Sequence, residues 1–322
     1  MKALLIVDIQ NDFLPGGALP VAEGDRIVPL VNELMPAYDL VVATQDWHPP
    51  NHGSFAANHP GRGVGETLVL DGLDQVLWPV HCVEGSAGAE FAPGLETVRI
   101  DHIVRKGGDP RVDSYSGFFD NDRRHSTGMT EYFEEQRVAE VHVVGLATDY
   151  CVKFTALDAV REGFQTTLIT DACRGVNLSP GDVERAIADM REAGVRIMTS
   201  CDILGETVTL YRPVGAAELA LLEGADFTAW PPRLPGQPIF YPVTNEAYAA
   251  QITREWNVPE GGTSAVTRFE VRREFLRNYR RKIVGGRQHE EYWIPAEDLN
   301  ELNANIVGTI EVLQTINPTR NS

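Results

Sequence analysis

The stretch VHVVGLATDYCVKFTALDAV, residues 141–160, decides how the chain folds. It opens with an apolar run, 141–145, in which hydrophobic and polar residues do not alternate. A strand covered on both faces has that composition. Residues 149–162 then read as an amphipathic helix, so strand gives way to helix within a few residues. Cys151 stands in the connecting turn.

Working outward, the same rhythm fills residues 1–204. Short runs rich in Val, Ile and Leu recur at 3–7, 40–43, 102–104, 167–169 and 195–198. Helix-like segments lie at 24–35, 129–136 and 179–192, the last with Ser179 as cap, Pro180 at the first helical position and Gly194 as stop. This alternation predicts an α/β fold built on a doubly wound parallel sheet. Such sheets bind ligands beyond the carboxyl ends of their strands. Those ends deliver Asp8, Asp46, Lys106 and the 149–151 turn, four ionisable or reactive groups in one region. Near residue 205 the rhythm breaks. A strand-like 207–211, a helix-like 216–223, a Pro-rich 230–242, a strand-like 265–271, an Arg-rich helix over 272–282 and a terminal 307–314 read as α+β. Two domains are expected, 1–204 and 205–322.

Composition sets bounds. The 322 residues are 43% hydrophobic and 23% charged, an ordinary globular balance. Net charge is −18, with 16 basic against 31 acidic side chains up to residue 204 and 12 against 15 beyond it. So acidic a surface argues against a nucleic-acid partner. Cys82, Cys151, Cys173 and Cys201 form no CxxC pair and are expected as thiols. The opening MKALLIV stops at Asp8, short of a signal segment, and no run reaches 18 apolar residues. A soluble, cytoplasmic protein with no membrane partner is expected; association into a homo-oligomer stays open.

At the start of a helix, Cys151 would feel a positive end that lowers a thiol pKa, which marks it as a candidate nucleophile. The alternative is a small buried hydrophobe. A nucleophile needs a base and a cation or donor nearby. Asp8 and Lys106 could supply both, unless Asp8 only caps a turn and Lys106 is a solvated charge. Lysine is scarce, four against 24 arginines, which gives Lys106 weight. Asp46, His48 and His81 offer one carboxylate and two imidazoles. Asp-x-His puts two ligands on one side of an extended segment. Each histidine alone also reads as a surface or hydrogen-bonded residue, and His52 and His59 are left out of the set.

The segments DIQNDF (8–13), TQDWHP (44–49), WPVHC (78–82), RKG (105–107), YSGF (115–118) and GLATDYC (145–151) together resemble the nicotinamidases among the isochorismatase-like cysteine hydrolases. The resemblance implies a triad in which Cys151 attacks the carboxamide carbon, Asp8 moves the proton and Lys106 keeps Asp8 ionised. It implies an oxyanion site of backbone N–H groups at Ala147 and Cys151, beside a cis bond between Leu146 and Ala147. It further implies a divalent ion on Asp46, His48 and His81, zinc first with manganese or iron as alternatives, bound to the pyridine nitrogen of the substrate. Phe13, Trp78 and Tyr115 match the family's aromatic wall. Nicotinamide or a related pyridine carboxamide is the implied substrate, and NAD salvage the implied setting. GGDPRVDSYSG (107–117) is more polar than the family pattern and could alter which pyridine carboxamides fit. An amidase on another small aromatic or ureido amide is the alternative.

In the second segment VTLYRPVG, PPRLPGQPIFYPV, VGGRQHEEYWIPAEDL and IVGTIEVL resemble an ADP-ribosylation/crystallin J1-like family. An ADP-ribosyltransferase-like layout would have Arg212 hold an NAD phosphate. Tyr241 or Tyr248 would line the nicotinamide pocket, and Glu291 or Glu290 would stabilise a ribose cation, with His289 an alternative turn residue. NAD is then a partner of this domain, which would release the nicotinamide that the first domain consumes. A packing or oligomerisation domain, or an NAD/ADP-ribose-binding protein without turnover, remains the alternative.

Overall fold

ALLIV lies at the middle of a sheet, which is why it carries no polar residue. The computed structural model describes residues 1–233, 236–257, 263–279, 281–284 and 289–317. They divide into two compact units, Met1–Ile203 and Leu204–Ser322. In the first unit the strands are β1 (Lys2–Val7), β2 (Leu40–Asp46), β3 (Thr67–Leu70), β4 (Leu73–Val76), β5 (His102–Lys106), β6 (Glu140–Leu146), β7 (Gln165–Arg174) and β8 (Arg196–Met198). β3 and β4 form a separate antiparallel hairpin, and the other six make one sheet in the order β5-β2-β1-β6-β7-β8. Every pairing in that sheet is parallel. β1 runs in register with β6 from Lys2 opposite Glu140 to Val7 opposite Gly145.

Both faces are covered. Ala3, Leu5 and Val7 pack into one cluster with Phe133, Ala156 and Ala159, which come from the two helices that follow α1 (Val28–Leu34) in the chain, α2 (Met129–Glu135) and α3 (Lys153–Arg161). Leu4 and Ile6 alternate to the other face and are equally shut off from solvent. Each such leucine contributes about 1.5–3 kcal/mol on burial. Chain order leaves β1 for β2 and β5 on one side, then returns through β6 on the other, so the sheet's switch point lies between β1 and β6. Crevices of this kind open at such points. Gly145 sits at φ +121°, and a Cβ there would collide with the Val7 backbone, so only glycine lets β6 approach β1 as it nears the crevice.

Three boundaries differ from the sequence-based expectation. The helix expected from Ser179 begins as Asp182–Glu192, with Gly181 at φ +88° as its cap; Asp182 folds back to accept the Ser179 N–H at 2.7 Å, which holds Ser179 and Pro180 outside. Cys151 lies in a wide turn, Thr148–Val152, ahead of α3. The Arg-rich helix expected over 272–282 is only Arg273–Leu276, and Arg281–Ile283 is a strand. Residue 280 of that segment, 234–235 of the Pro-rich stretch and 285–288 of VGGRQHEEYWIPAEDL lie outside the described residues. Among those described, no helix is long and apolar enough to cross a membrane.

The second unit centres on an antiparallel sheet of Thr207–Val214, Ser264–Arg272 and Ile306–Ile316, with the middle strand Ser264–Arg272. In its core Phe269 meets Trp230 and Phe240 edge to face, and those two rings lie tilted against each other. Val243 bridges Tyr211 on one side and Glu291 on the other, tying the later strands to this sheet.

Candidate active site

Asp8 follows β1, Asp46 and Lys106 end β2 and β5, and Cys151 follows β6. Four adjacent strand ends therefore converge. Lys106 Nζ is the hub: it lies 2.8 Å from Asp8 Oδ2 and 2.5 Å from Asp46 Oδ1, and it donates to Cys151 Sγ at 3.5 Å and to the Ser114 carbonyl at 2.8 Å. Asp8, at a positive φ of 47°, accepts the Thr44 hydroxyl on Oδ1 at 2.6 Å. Its Oδ2 is left to the ammonium and the thiol. All of these groups are buried.

Burial sets the electrostatics. It pushes Asp8 above the usual carboxylate range, partly opposed by Lys106. It also pushes the Cys151 thiol well up; Lys106 pulls it back, while Asp8 and Asp46 add to the rise. The expectation that a helix end lowers this thiol is thus corrected. Two carboxylates and desolvation outweigh the helix, and the protein favours a neutral thiol beside a base. Lys106 is raised despite its burial, because Asp46 and Asp8 both favour the ammonium.

Beside this group stand the two imidazoles. His48 Nδ1–H donates to the Gly107 carbonyl and His81 Nδ1–H to the Pro79 carbonyl, each at 2.8 Å. That fixes both tautomers and turns each Nε2 towards Asp46 Oδ2, at 3.5 Å from His48 and 3.9 Å from His81. His48 Nε2 is buried without a hydrogen-bond partner. Burial pushes Asp46 up, but Lys106 and His48 outweigh it and hold the carboxyl far below its ordinary range. Burial and the neighbouring His48 bring His81 down to about 4. Burial opposes a charge on His48, but Asp46 outweighs it and raises that imidazole; a carboxylate and two imidazoles converging through Nε2 are a donor set that fits a divalent ion.

Phe13 packs tilted against His81, with ring centres 5.5 Å apart. Trp78 Nε1–H donates to the Tyr115 hydroxyl at 3.0 Å. Tyr150 meets both of these rings edge-on, at 5.0 Å and 5.6 Å. Ala147 follows a cis peptide bond from Leu146 and shares the wide turn's approach with Cys151.

Sequence reasoning missed several members of the site. Thr44 and Gln10 lie inside the motif segments but were given no role; Gln10 accepts the Asp46 N–H and donates to the Asp46 carbonyl, both at 2.8 Å. Tyr150 is the residue just before the cysteine. His52, set aside in the sequence, has its ring centre 4.5 Å from that of His48 and groups with His48 and Asp113.

In the second unit, Arg212, Tyr241, Tyr248 and Glu291 line one cavity of about 1160 Å³. Glu290 is not among its lining residues and faces Arg281 at 3.3 Å.

Known proteins match the first unit. The isochorismatase domain model covers residues 2–202. The nicotinamidase of Escherichia coli K12 is 47% identical over 211 residues, spanning 62% of this chain and 96% of that protein. A solved nicotinamidase/pyrazinamidase from Acinetobacter baumannii shares 50% identity at a TM-score of 0.61, over 62% of this chain and 97% of its own. A pyrazinamidase of Pyrococcus horikoshii, solved in complex with zinc, shares 39% identity at a TM-score of 0.51, over 62% and 98%. With its parallel sheet and its cysteine at the switch point, the chain belongs to the isochorismatase family.

Proposed function

We propose that residues 1–204 hydrolyse nicotinamide to nicotinate and ammonia through a thioester on Cys151, a step of NAD salvage. The chain is a hydrolytic amidase by its kinship to the curated nicotinamidases. The observation that carries the finer reading is the single ammonium of Lys106 within reach of Asp8, Asp46 and Cys151. Cys151 Sγ attacks the carboxamide carbon while Asp8 Oδ2 takes the thiol proton. The C–N bond then breaks, and Asp8 returns that proton to the leaving ammonia. Water attacks the thioester carbon, Asp8 accepts its proton, and the C–S bond breaks to release nicotinate and restore the thiol. Lys106 balances charge on Asp8 through both halves, and the N–H groups of Ala147 and Cys151 would receive the developing oxyanion. Phe13, Trp78 and Tyr115 form the ring slot. Asp46, His48 and His81 would hold a divalent ion, zinc being the first candidate, which supplies an anchor for the pyridine nitrogen.

The test is ammonia release from nicotinamide. Cys151→Ala should lose about a thousandfold or more in rate while keeping its fold and metal content, and a chelator should silence the native chain until zinc, manganese or iron is returned. Full activity of Cys151→Ala would sink the reading, and full activity after complete metal removal would sink the metal's part in it.

A second reading concerns residues 205–322 as a unit that handles NAD or ADP-ribose. Four of its five candidate residues share one cavity, which supports it. Incubation of the whole chain with NAD should give bound or cleaved nucleotide; neither would count against it.

A further inference from the structure

The turn that carries Cys151 is held from outside itself. Within Thr148–Val152 the Tyr150 and Val152 N–H groups both return to the Ala147 carbonyl, at 3.1 Å. Wide turns of this kind are rare and occur mostly at functional sites. The outside hold is Asp149, buried and two residues before the cysteine. An acidic side chain at this place ordinarily reads as a partner of the helix's own positive end. Here both oxygens reach to another part of the chain instead. Oδ1 accepts the Val176 N–H at 2.9 Å and Oδ2 the Asn177 N–H at 2.7 Å. Hydrogen bonds from backbone N–H groups to a carboxylate are charge-assisted, about twice as strong as neutral ones.

The loop that receives this grip is shaped for it. β6 and β7 run side by side to their ends, Gly145 opposite Cys173 and Leu146 opposite Arg174, so the chain leaving β7 passes beside the turn leaving β6. Gly175 follows. A Cβ there would lie 3.0 Å from Asp149 Oδ1 and 2.2 Å from Val183 Cγ2, so the loop closes on the carboxylate only because that position has no side chain. Asn177 stands at φ +56°, a left-handed conformation that Asn adopts more readily than most residues. Its side-chain oxygen accepts the Asp182 N–H at 3.0 Å, which fastens the loop to the helix Asp182–Glu192. One carboxylate therefore ties the nucleophile's turn, through 175–177, to the next helix.

We propose that Asp149 is a positioning residue for the nucleophile: by holding the Val176 and Asn177 N–H groups it fixes Thr148–Val152 so that Cys151 presents its Sγ to Asp8 and Lys106 and its N–H to the incoming carboxamide. The assignment rests on the thioester reading above and adds to it a residue that touches neither substrate nor metal.

Steady-state kinetics on nicotinamide, with alkylation of Cys151 by iodoacetamide followed by peptide mass spectrometry, test this on the full chain. Asp149→Asn keeps the shape of the side chain but turns an amide NH2 towards one of the two N–H groups. It should lower kcat about tenfold or more with KM within about twofold. Alkylation of Cys151 should slow about fivefold or more. Thermal melting checks that the variant is folded, and should it unfold, a second pair decides. Val183→Ala removes the side chain nearest Gly175 and should keep native kcat. Gly175→Ala/Val183→Ala then presses a methyl against Asp149 Oδ1 alone and should lower kcat about threefold or more. A folded Asp149→Asn with native kcat, with a raised KM alone, or with native alkylation overturns the positioning role, as does equal kcat across the Val183→Ala pair. A native chain that releases no ammonia from nicotinamide, while Asp149→Asn still slows alkylation, overturns the nicotinamide reading and leaves the positioning role standing.

Discussion

Lys106 Nζ stands 2.5 Å from Asp46 Oδ1, so the proposed catalytic ammonium and the proposed metal-binding carboxylate are ion-paired to each other. The opposite oxygen of Asp46 faces His48 and His81. The acid–base chemistry and the metal binding proposed above would therefore share one charge network. It holds two carboxylates against one ammonium, and a cation at the imidazoles would correct that deficit.

Removing the shared ammonium tests this dependence. Lys106→Met leaves Asp8 and Asp46 buried without their cation, a loss of about 3–5 kcal/mol for a broken buried pair. Urea unfolding at neutral pH should register it along with loss of ammonia release. A change under 1 kcal/mol would show that the carboxylates do not lean on Lys106.

Gly107 should prove irreplaceable for metal retention. It sits at φ +73°, and a Cβ there would collide with the His48 ring whose Nδ1–H it accepts. Gly107→Ala should bind metal at least tenfold more weakly, measured by competition with a chromophoric chelator. Native affinity in this variant would mean that His48 is not a ligand.

Thr44 is expected to position Asp8 without touching substrate. Its hydroxyl donates to Oδ1 at 2.6 Å, steering Oδ2 to the thiol side. Thr44→Val should lower kcat about tenfold with KM little changed, and Thr44→Ser should restore it. A rise in KM alone would assign Thr44 to the binding pocket.

His142 gives a pH dependence away from the site. It is buried on β6 between the Tyr38 hydroxyl at 2.9 Å and Glu140 at 2.8 Å, with Lys2 and Arg196 adding positive charge nearby. Burial first, then those cations, lower its pKa against the pull of Glu140. A lowered histidine contributes stability that is complete above the unfolded value near 6.5 and is lost as pH falls towards the folded value. Urea midpoints should therefore drop more between pH 8 and pH 5 for the native chain than for His142→Gln. Equal drops would remove His142 from the account.

The sheet was legible because a strand covered on both faces must be largely apolar, and ALLIV, with VHVVG apolar but for His142, says so without help from neighbours. Asp8, Lys106 and Cys151 were legible for a related reason: each lies at or a few residues beyond the carboxyl end of an apolar run. The helix start at Asp182 was not, since Ser179 and Pro180 carry good start signals and only Gly181 with the folded-back Asp182 overrides them. The Arg-rich 272–282 looked helical by composition, yet Arg281–Ile283 pairs as a strand with Glu290–Tyr292, and the composition of the segment does not announce that partner.

What the sequence determined by itself was which ionisable and reactive side chains the strand ends deliver, because side-chain type and hydrophobic pattern are local properties. Which groups meet was decided by the tertiary structure. Strand order put Asp46 beside Lys106, and burial next to two carboxylates raised the thiol that a helix end alone would lower. Distances and desolvation between residues far apart in the chain belong to the packed fold.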